Sequence, residues 1–292
     1  MIQPSQLRSP PGRPVGRRAL LARGLSLAAG LTVGSGALAA TPAPLASAAE
    51  RLRAFVRMRG ALDDRVVIGF VSGAYQGVVD GEATPLFGLS AATFARWRAV
   101  GDGYEVVGCE QAYFTDLETG QVLDSWRNPY TGATIKVPIT ASAPSKMRLN
   151  PDLTFAAAPT TSPGVSLAQM VSAPDQIGGE VFFTETIRAR VALPGAPRPF
   201  RYNDATTMRA QLSDVLSPDG ARAPCETSYQ AILSWRPWLE MGDRSGQMVS
   251  FGQGRYGAAL DELPPVWTEA TRRARPALLD NPETVLDPLW RA

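Results

Sequence analysis

The sequence predicts a mostly β, antiparallel fold: a meander closing as a barrel or a strongly curved sheet, with short N- and C-terminal helices. Three observations carry this. About ten runs of β-branched and aromatic residues show the two-residue alternation of half-buried strands. Turn signals rich in Gly and Asp separate them, Asp80-Gly81 being of the strong hairpin type. Apolar residues at helical spacing occur only near the two ends. An open sheet of this size leaves edges to protect, which favours closure.

Taken in order, residues 1–48 read as an export signal. They hold five arginines (Arg8, Arg13, Arg17, Arg18, Arg23) and no acidic residue, with the apolar run Leu25–Ala40 behind them. Small-residue patterns at Ala37-Leu38-Ala39 and Ala46-Ser47-Ala48 place cleavage near 39 or 48. Arg17-Arg18, followed by Ala19-Leu20-Leu21, resembles the twin-arginine signal, so an exported, periplasmic protein is expected. The apolar run is rich in Gly, Ala and Ser and shorter than the ~20 residues of a spanning helix, so no stable membrane span is expected in the mature chain.

Removing the signal reverses the charge. Twenty-nine Lys and Arg less those five leave 24 against 27 Asp and Glu, a net charge of −3, and the case for a nucleic-acid partner goes with it. The chain has no histidine. That excludes Ser-His-Asp and Cys-His catalysis, imidazole zinc sites and histidine shuttles. With two cysteines besides, a protein-held transition metal is not expected, and no cofactor is assigned. Cys109 and Cys225 either pair or stand as buried free thiols.

Residues 49–292 are read as a single all-β domain. Leu52, Phe55 and Val56 among arginines give a short helix over Ala49–Arg59, stopped by Gly60. Strands follow at Arg65–Ser72, Ala74–Val79, Thr84–Leu89, Arg96–Val100 and Tyr104–Thr115. Two turn signals, Asp116–Gly120 and Asn128–Gly132, then flank a strand-like run, Gln121–Arg127, and Ala133–Ile139 alternates cleanly. The stretch 140–179 carries five prolines and no sustained period. It reads as a long loop, a lid or a disordered cover, or a boundary between halves. Strands resume at Glu180–Leu193, Thr206–Leu216, Thr227–Trp235 and Gln247–Tyr256, and Pro264–Arg275 reads as a helix. Gly252, Gly254 and Gly257 match no nucleotide fingerprint and are read as strand bulges.

The run from Asp116-Leu117-Glu118-Thr119-Gly120 through Val122-Leu123-Asp124 to Trp126-Arg127-Asn128-Pro129-Tyr130-Thr131-Gly132 resembles a bacterial family catalogued only as a domain of unknown function. Its members often carry twin-arginine signals. Ala49–Gly60, Trp235–Gly246 and Asp261–Pro264 agree with it, so the likeness covers nearly all of the mature chain. It implies a family and no activity.

Candidate chemistry therefore rests on single residues. Glu185 falls on the apolar side of its strand between Phe183 and Ile187, where a carboxylate needs a partner or a proton. It is either a general acid–base group, a structural ion pair, or turned outward by a bulge. Asp124 shares a face with Val122 and Trp126 and either lines a pocket, as a second catalytic carboxylate, or binds the neighbouring turn. Parity on one strand favours Tyr113 inside the barrel and Glu110 outside. Arg127 either clamps an anion or pairs with Asp116 or Asp124. Trp235, Trp238 and Arg244 either rim a ligand mouth or plug a barrel end. The leading expectation is a β-barrel binding a small, partly apolar molecule, with Tyr113, Trp126, Arg127, Phe183, Trp235, Trp238 and Arg244 as contacts. The alternatives are a hydrolase, lyase or isomerase using carboxylates, and a structural envelope protein with a filled core. The sequence carries no signal for oligomeric state.

Overall fold

The computed structural model describes residues 44–157, 164–192 and 198–292. The expected export signal lies outside them up to residue 43, as do Leu193 and part of the expected loop.

Alternating sequences give long staves early in the chain: β1 (Val67–Val79), β2 (Glu82–Val100) and β3 (Gly103–Thr115). Three short strands follow, β4 (Ser125–Arg127), β5 (Thr134–Lys136) and β6 (Thr140–Ala141). Then come β7 (Ser145–Leu149), β8 (Thr154–Ala157), β9 (Val165–Val171) and β10 (Asp175–Ile177). Four longer strands complete the set: β11 (Glu180–Val191), β12 (Phe200–Gln211), β13 (Cys225–Leu233) and β14 (Gln247–Tyr256). Neighbours run β11-β12-β13-β14-β1-β2-β3-β7-β8-β9, and β9 pairs back onto β11 from Glu185↔Val171 to Val191↔Val165. The protein is thus a closed ten-stranded antiparallel barrel.

Closure revises several expectations. The stretch expected as a proline-rich loop supplies three of the ten staves, β7 to β9; they are too short to show a period of their own. The two strands expected within 84–100 are one stave of 19 residues. The run Gln121–Arg127 is not a stave: among the described residues β4 pairs only with β5, as a hairpin outside the ring. Gly252 and Gly254 are not bulges, since β14 keeps unbroken register with both β1 and β13 there. They allow close approach instead: a side chain at Gly254 would collide with the Phe70 carbonyl.

One end of the barrel is plugged by α1 (Ala48–Arg59). Its start is a capping box: Glu50 N–H donates to Ser47 Oγ at 3.1 Å and Ser47 N–H donates to Glu50 Oε2 at 2.9 Å. Leu52, Phe55, Val56 and Met58 then enter the ring against Trp97, Val106, Leu149, Phe183 and Met208. Ser47→Ala removes the cap acceptor and is expected to cost about 1 kcal/mol in a urea titration; no loss would mean that burial alone fixes the helix start.

The short α2 (Leu212–Leu216) follows β12. The expected C-terminal helix is α3 (Pro265–Ala274), and α4 (Ala277–Asp280) and α5 (Pro282–Trp290), which the sequence did not suggest, come after it. Together these three cover the outer face of β1 to β3, packing Trp267, Leu278, Leu286 and Trp290 on Ile68, Ala92, Phe94, Val107 and Cys109. The far end of the barrel is filled by Tyr75, Phe87, Leu89, Phe114 and Trp238.

Candidate functional site

Between the α1 plug and the aromatic far end, the barrel holds a partly open cavity of about 150 Å³. Pleating decides which residues reach it, because alternate side chains point to one face. Register carries that rule around the ring: Thr93 faces Gly69, Gly69 faces Tyr256, Gly254 faces Thr227, and Thr206 faces both Tyr229 and Glu185. The cavity wall accordingly takes Glu110, Ala112 and Phe114 from β3, Glu185 and Ile187 from β11, and Tyr202 and Asp204 from β12. Tyr229 from β13, Tyr256 from β14 and Arg59 from the last turn of α1 complete its polar surface, with Arg236 from the loop after β13.

Glu185 is 4% exposed and engaged at both oxygens. Arg59 Nε donates to its Oε2 at 3.1 Å, and Gln169 Nε2 donates to Oε1. The Arg59 guanidinium also lies 4.2 Å from the Tyr256 ring centroid. Burial works against the Arg59 charge, but Tyr256 and Glu185 outweigh it and hold its pKa above the ordinary value. The Tyr256 hydroxyl is itself lifted by burial, against the pull of Arg59.

Asp204 is held differently. Its Oδ2 accepts from Tyr202 Oη at 2.8 Å and its Oδ1 from Ile187 N–H at 3.1 Å, while the Tyr202 and Tyr229 hydroxyls meet at 2.8 Å. Burial pushes the Asp204 carboxyl up to about 7; Glu185 and Glu110 add to the rise, and the two hydrogen bonds oppose it. Burial also lifts Tyr202 and Tyr229. Across the cavity Glu110 is raised by burial, against the pull of Arg236 and Arg59. Arg236 Nη2 donates to Tyr75 Oη at 3.1 Å, and its guanidinium carbon lies 5.2 Å from the Phe114 ring centroid. Arg236 Nε and Thr227 Oγ1 are buried without a partner among the described residues, which buried polar atoms in folded proteins rarely tolerate.

Asp204 gives stability a pH slope of known sign. Folded Asp204 keeps its proton to about 7 and the unfolded residue only to 3.8, so its contribution is full below 3.8 and lost as pH rises to about 7. Asp204→Asn is expected to flatten that part of a denaturation-midpoint profile and to stabilise the protein at pH 8. An unchanged slope would place the Asp204 carboxyl in ordinary solvent.

The sequence-predicted residues scatter. Glu185 reaches the cavity wall, and Phe183 lies in the adjoining core, 5.7 Å from the Phe55 ring. Asp124 is exposed outside the barrel, and among the described residues only its carbonyl is engaged, by Val137 N–H. Tyr113 and Glu110 are reversed from expectation: Glu110 faces the cavity, whereas Tyr113 faces outward under α3, bonded to Thr271 at 3.0 Å. Parity misled because helices bury the outer face of β3 as well. Trp126 and Trp238 pack on Phe87 at the far end, and Arg127 is exposed. Trp235 and Arg244 line a separate outer groove, which Arg236 alone shares with the cavity. Cys109 and Cys225 are both buried and free, one on each face of the wall.

Arg59, Glu110, Tyr202, Asp204, Tyr229, Arg236 and Tyr256 are the cavity groups that sequence reasoning missed. A signal existed for two of them: extending the Met208–Ala210 parity back along the chain puts Thr206, Asp204 and Tyr202 on the same inner face. Among the described residues no three His, Cys, Asp or Glu groups converge as a metal site.

A family model described as a protein of unknown function (DUF1838) matches residues 66–289. No curated protein matches the chain.

Proposed function

The chain belongs to the family described as protein of unknown function (DUF1838), so its chemistry must be read from the cavity, and we propose that the barrel binds a small, partly apolar molecule there. The observation that carries this is the pairing of interior volume with convergent polar groups. About 150 Å³ is the size of an engineered cavity that admits benzene. Here Leu89, Ala91, Ala112, Phe114 and Ile187 offer an apolar bed, while Asp204, Glu110 and the tyrosines offer hydrogen bonds at fixed positions. The unpartnered Arg236 Nε and Thr227 Oγ1 suit a ligand that brings acceptor oxygens.

Export by the twin-arginine route to the periplasm is part of the proposal, supported by Arg17-Arg18 ahead of the apolar run Leu25–Ala40. No helix of the described residues is long and apolar enough to cross a membrane.

A thermal-shift screen of small oxygenated molecules against the wild type and Ala112→Leu tests the binding reading. Ala112 is fully enclosed on the cavity wall, and a leucine there fills part of the space. Hits are expected to stabilise the wild type and not the filled variant. Equal shifts in both proteins would move binding elsewhere and end the reading.

Carboxylate acid–base catalysis is a second reading, favoured by one observation: burial among tyrosines lifts the Asp204 carboxyl to about 7.

A further inference from the structure

Resting on the binding reading above, we propose that Asp204 and Glu110 form a catalytic acid–base pair, and that the cavity takes a small uncharged carbonyl compound and interconverts it with its enol. Position is the first support. Around the ten-stranded ring, β12 and β3 stand five places apart, on opposite walls, and both carboxyls face the same enclosed space. The two carboxyls therefore approach the cavity from opposite sides.

Freedom of the carboxyls is the second. Glu185 is occupied by Arg59 and Gln169, but neither Asp204 nor Glu110 forms an ion pair among the described residues. Asp204 is aimed by Ile187 N–H and the Tyr202 hydroxyl, each taking one oxygen and leaving lone pairs free. Glu110 has no side-chain hydrogen bond among the described residues. Burial raises both groups, and the two reach the cavity from opposite walls with no cation paired to either among the described residues.

The ligand class follows from what the wall lacks. Arg236 Nε and Thr227 Oγ1 are donors without acceptors, which calls for an oxygen on the ligand. An anion would meet Glu185 and the ionised member of the pair against one guanidinium without an ion pair among the described residues, Arg236, and a cation would pair with the carboxylates and end their proton exchange. An uncharged carbonyl compound with a hydrogen on the neighbouring carbon satisfies all three conditions. In the step itself, the ionised member of the pair takes that hydrogen as a proton and the C–H pair becomes the C=C bond. The carbonyl π pair moves to oxygen, which takes the proton of the other member. The reverse step resets both groups, with no oxidant or reductant.

Cyclohexanone is a suitable probe, with seven non-hydrogen atoms for a benzene-sized space. Its α-hydrogens are followed by proton NMR in D₂O near neutral pH with the full chain, and binding by saturation transfer in the same sample. The wild type is expected to speed deuterium uptake above buffer, and Asp204→Asn and Glu110→Gln each to lose about 100-fold or more of that gain while still binding the ketone. Both variants are isosteric, and thermal melting confirms that they fold.

Bound ketone with no exchange above buffer would overturn this inference and leave the binding reading intact. Exchange that survives both substitutions would also overturn it. So would preferential binding of cyclohexylamine, which would make the two carboxyls a cation site. If no ketone binds, the substrate class is wrong, and the Ala112→Leu screen then decides whether any binding occurs.

Discussion

Glu185→Leu is expected to destabilise the protein by about 3–5 kcal/mol, the cost of leaving one member of a buried ion pair without its partner. Glu185 is 4% exposed, and its removal leaves the Arg59 guanidinium at the cavity wall without an ion pair among the described residues, against the Tyr256 ring. Glu185→Gln is expected to lose less, because the amide still fills the space and can accept from Arg59. The double variant Arg59→Met with Glu185→Leu is expected to recover most of the loss, since apolar pairs of similar volume often replace buried ion pairs at little cost. Urea denaturation of the four proteins gives the coupling between the two side chains directly. A loss below 1 kcal/mol for Glu185→Leu would mean that water reaches the pair.

Phe55→Ala is expected to cost a further 3–5 kcal/mol in its own background, the range for deleting a buried phenylalanine. Phe55 is fully enclosed and stands edge-on to three rings, Phe183 at 5.7 Å, Trp97 at 6.2 Å and Phe155 at 6.3 Å. These rings come from three staves, so one side chain ties the α1 plug to distant parts of the barrel. Because α1 also carries Arg59 to the cavity, loosening the plug is expected to weaken ligand binding along with stability. Hydrogen exchange at the α1 amides checks this: protection should fall there first. Unchanged protection in α1 would show that the helix is held by its cap and not by its packing.

The barrel was legible because its long staves advertise themselves. Glu180–Val191 and Gln247–Tyr256 alternate over ten or more residues, and Asp80-Gly81 marks its hairpin without ambiguity. Closure was harder to see in detail, since β7, β8 and β9 have five, four and seven residues. Pairing with neighbours makes those segments strands, not any period of their own. Two-sided burial was the other obstacle. Outside the barrel, α3 to α5 cover β3, so Tyr113 and Glu110 both lie on buried faces and composition cannot tell the cavity from the helix interface.

For the site itself, one anomaly in the sequence pointed inward and one pointed astray. Glu185 interrupts an apolar face, and that face does reach the cavity. Asp124 shares a face with Trp126, but the hairpin that bears it lies outside the ring. The polar cluster around Asp204 could not be assembled from spacing, because its members come from six elements whose register only the closed barrel supplies.

Native mass spectrometry of the protein purified from its own host tests the central claim most directly. A small molecule held in the barrel is expected to add a discrete mass to the wild type, of a size that about 150 Å³ can enclose, and to be missing from Ala112→Leu. The bare chain mass for both proteins, with no ligand in the screen shifting either, would contradict a binding role and leave a barrel whose interior is purely structural.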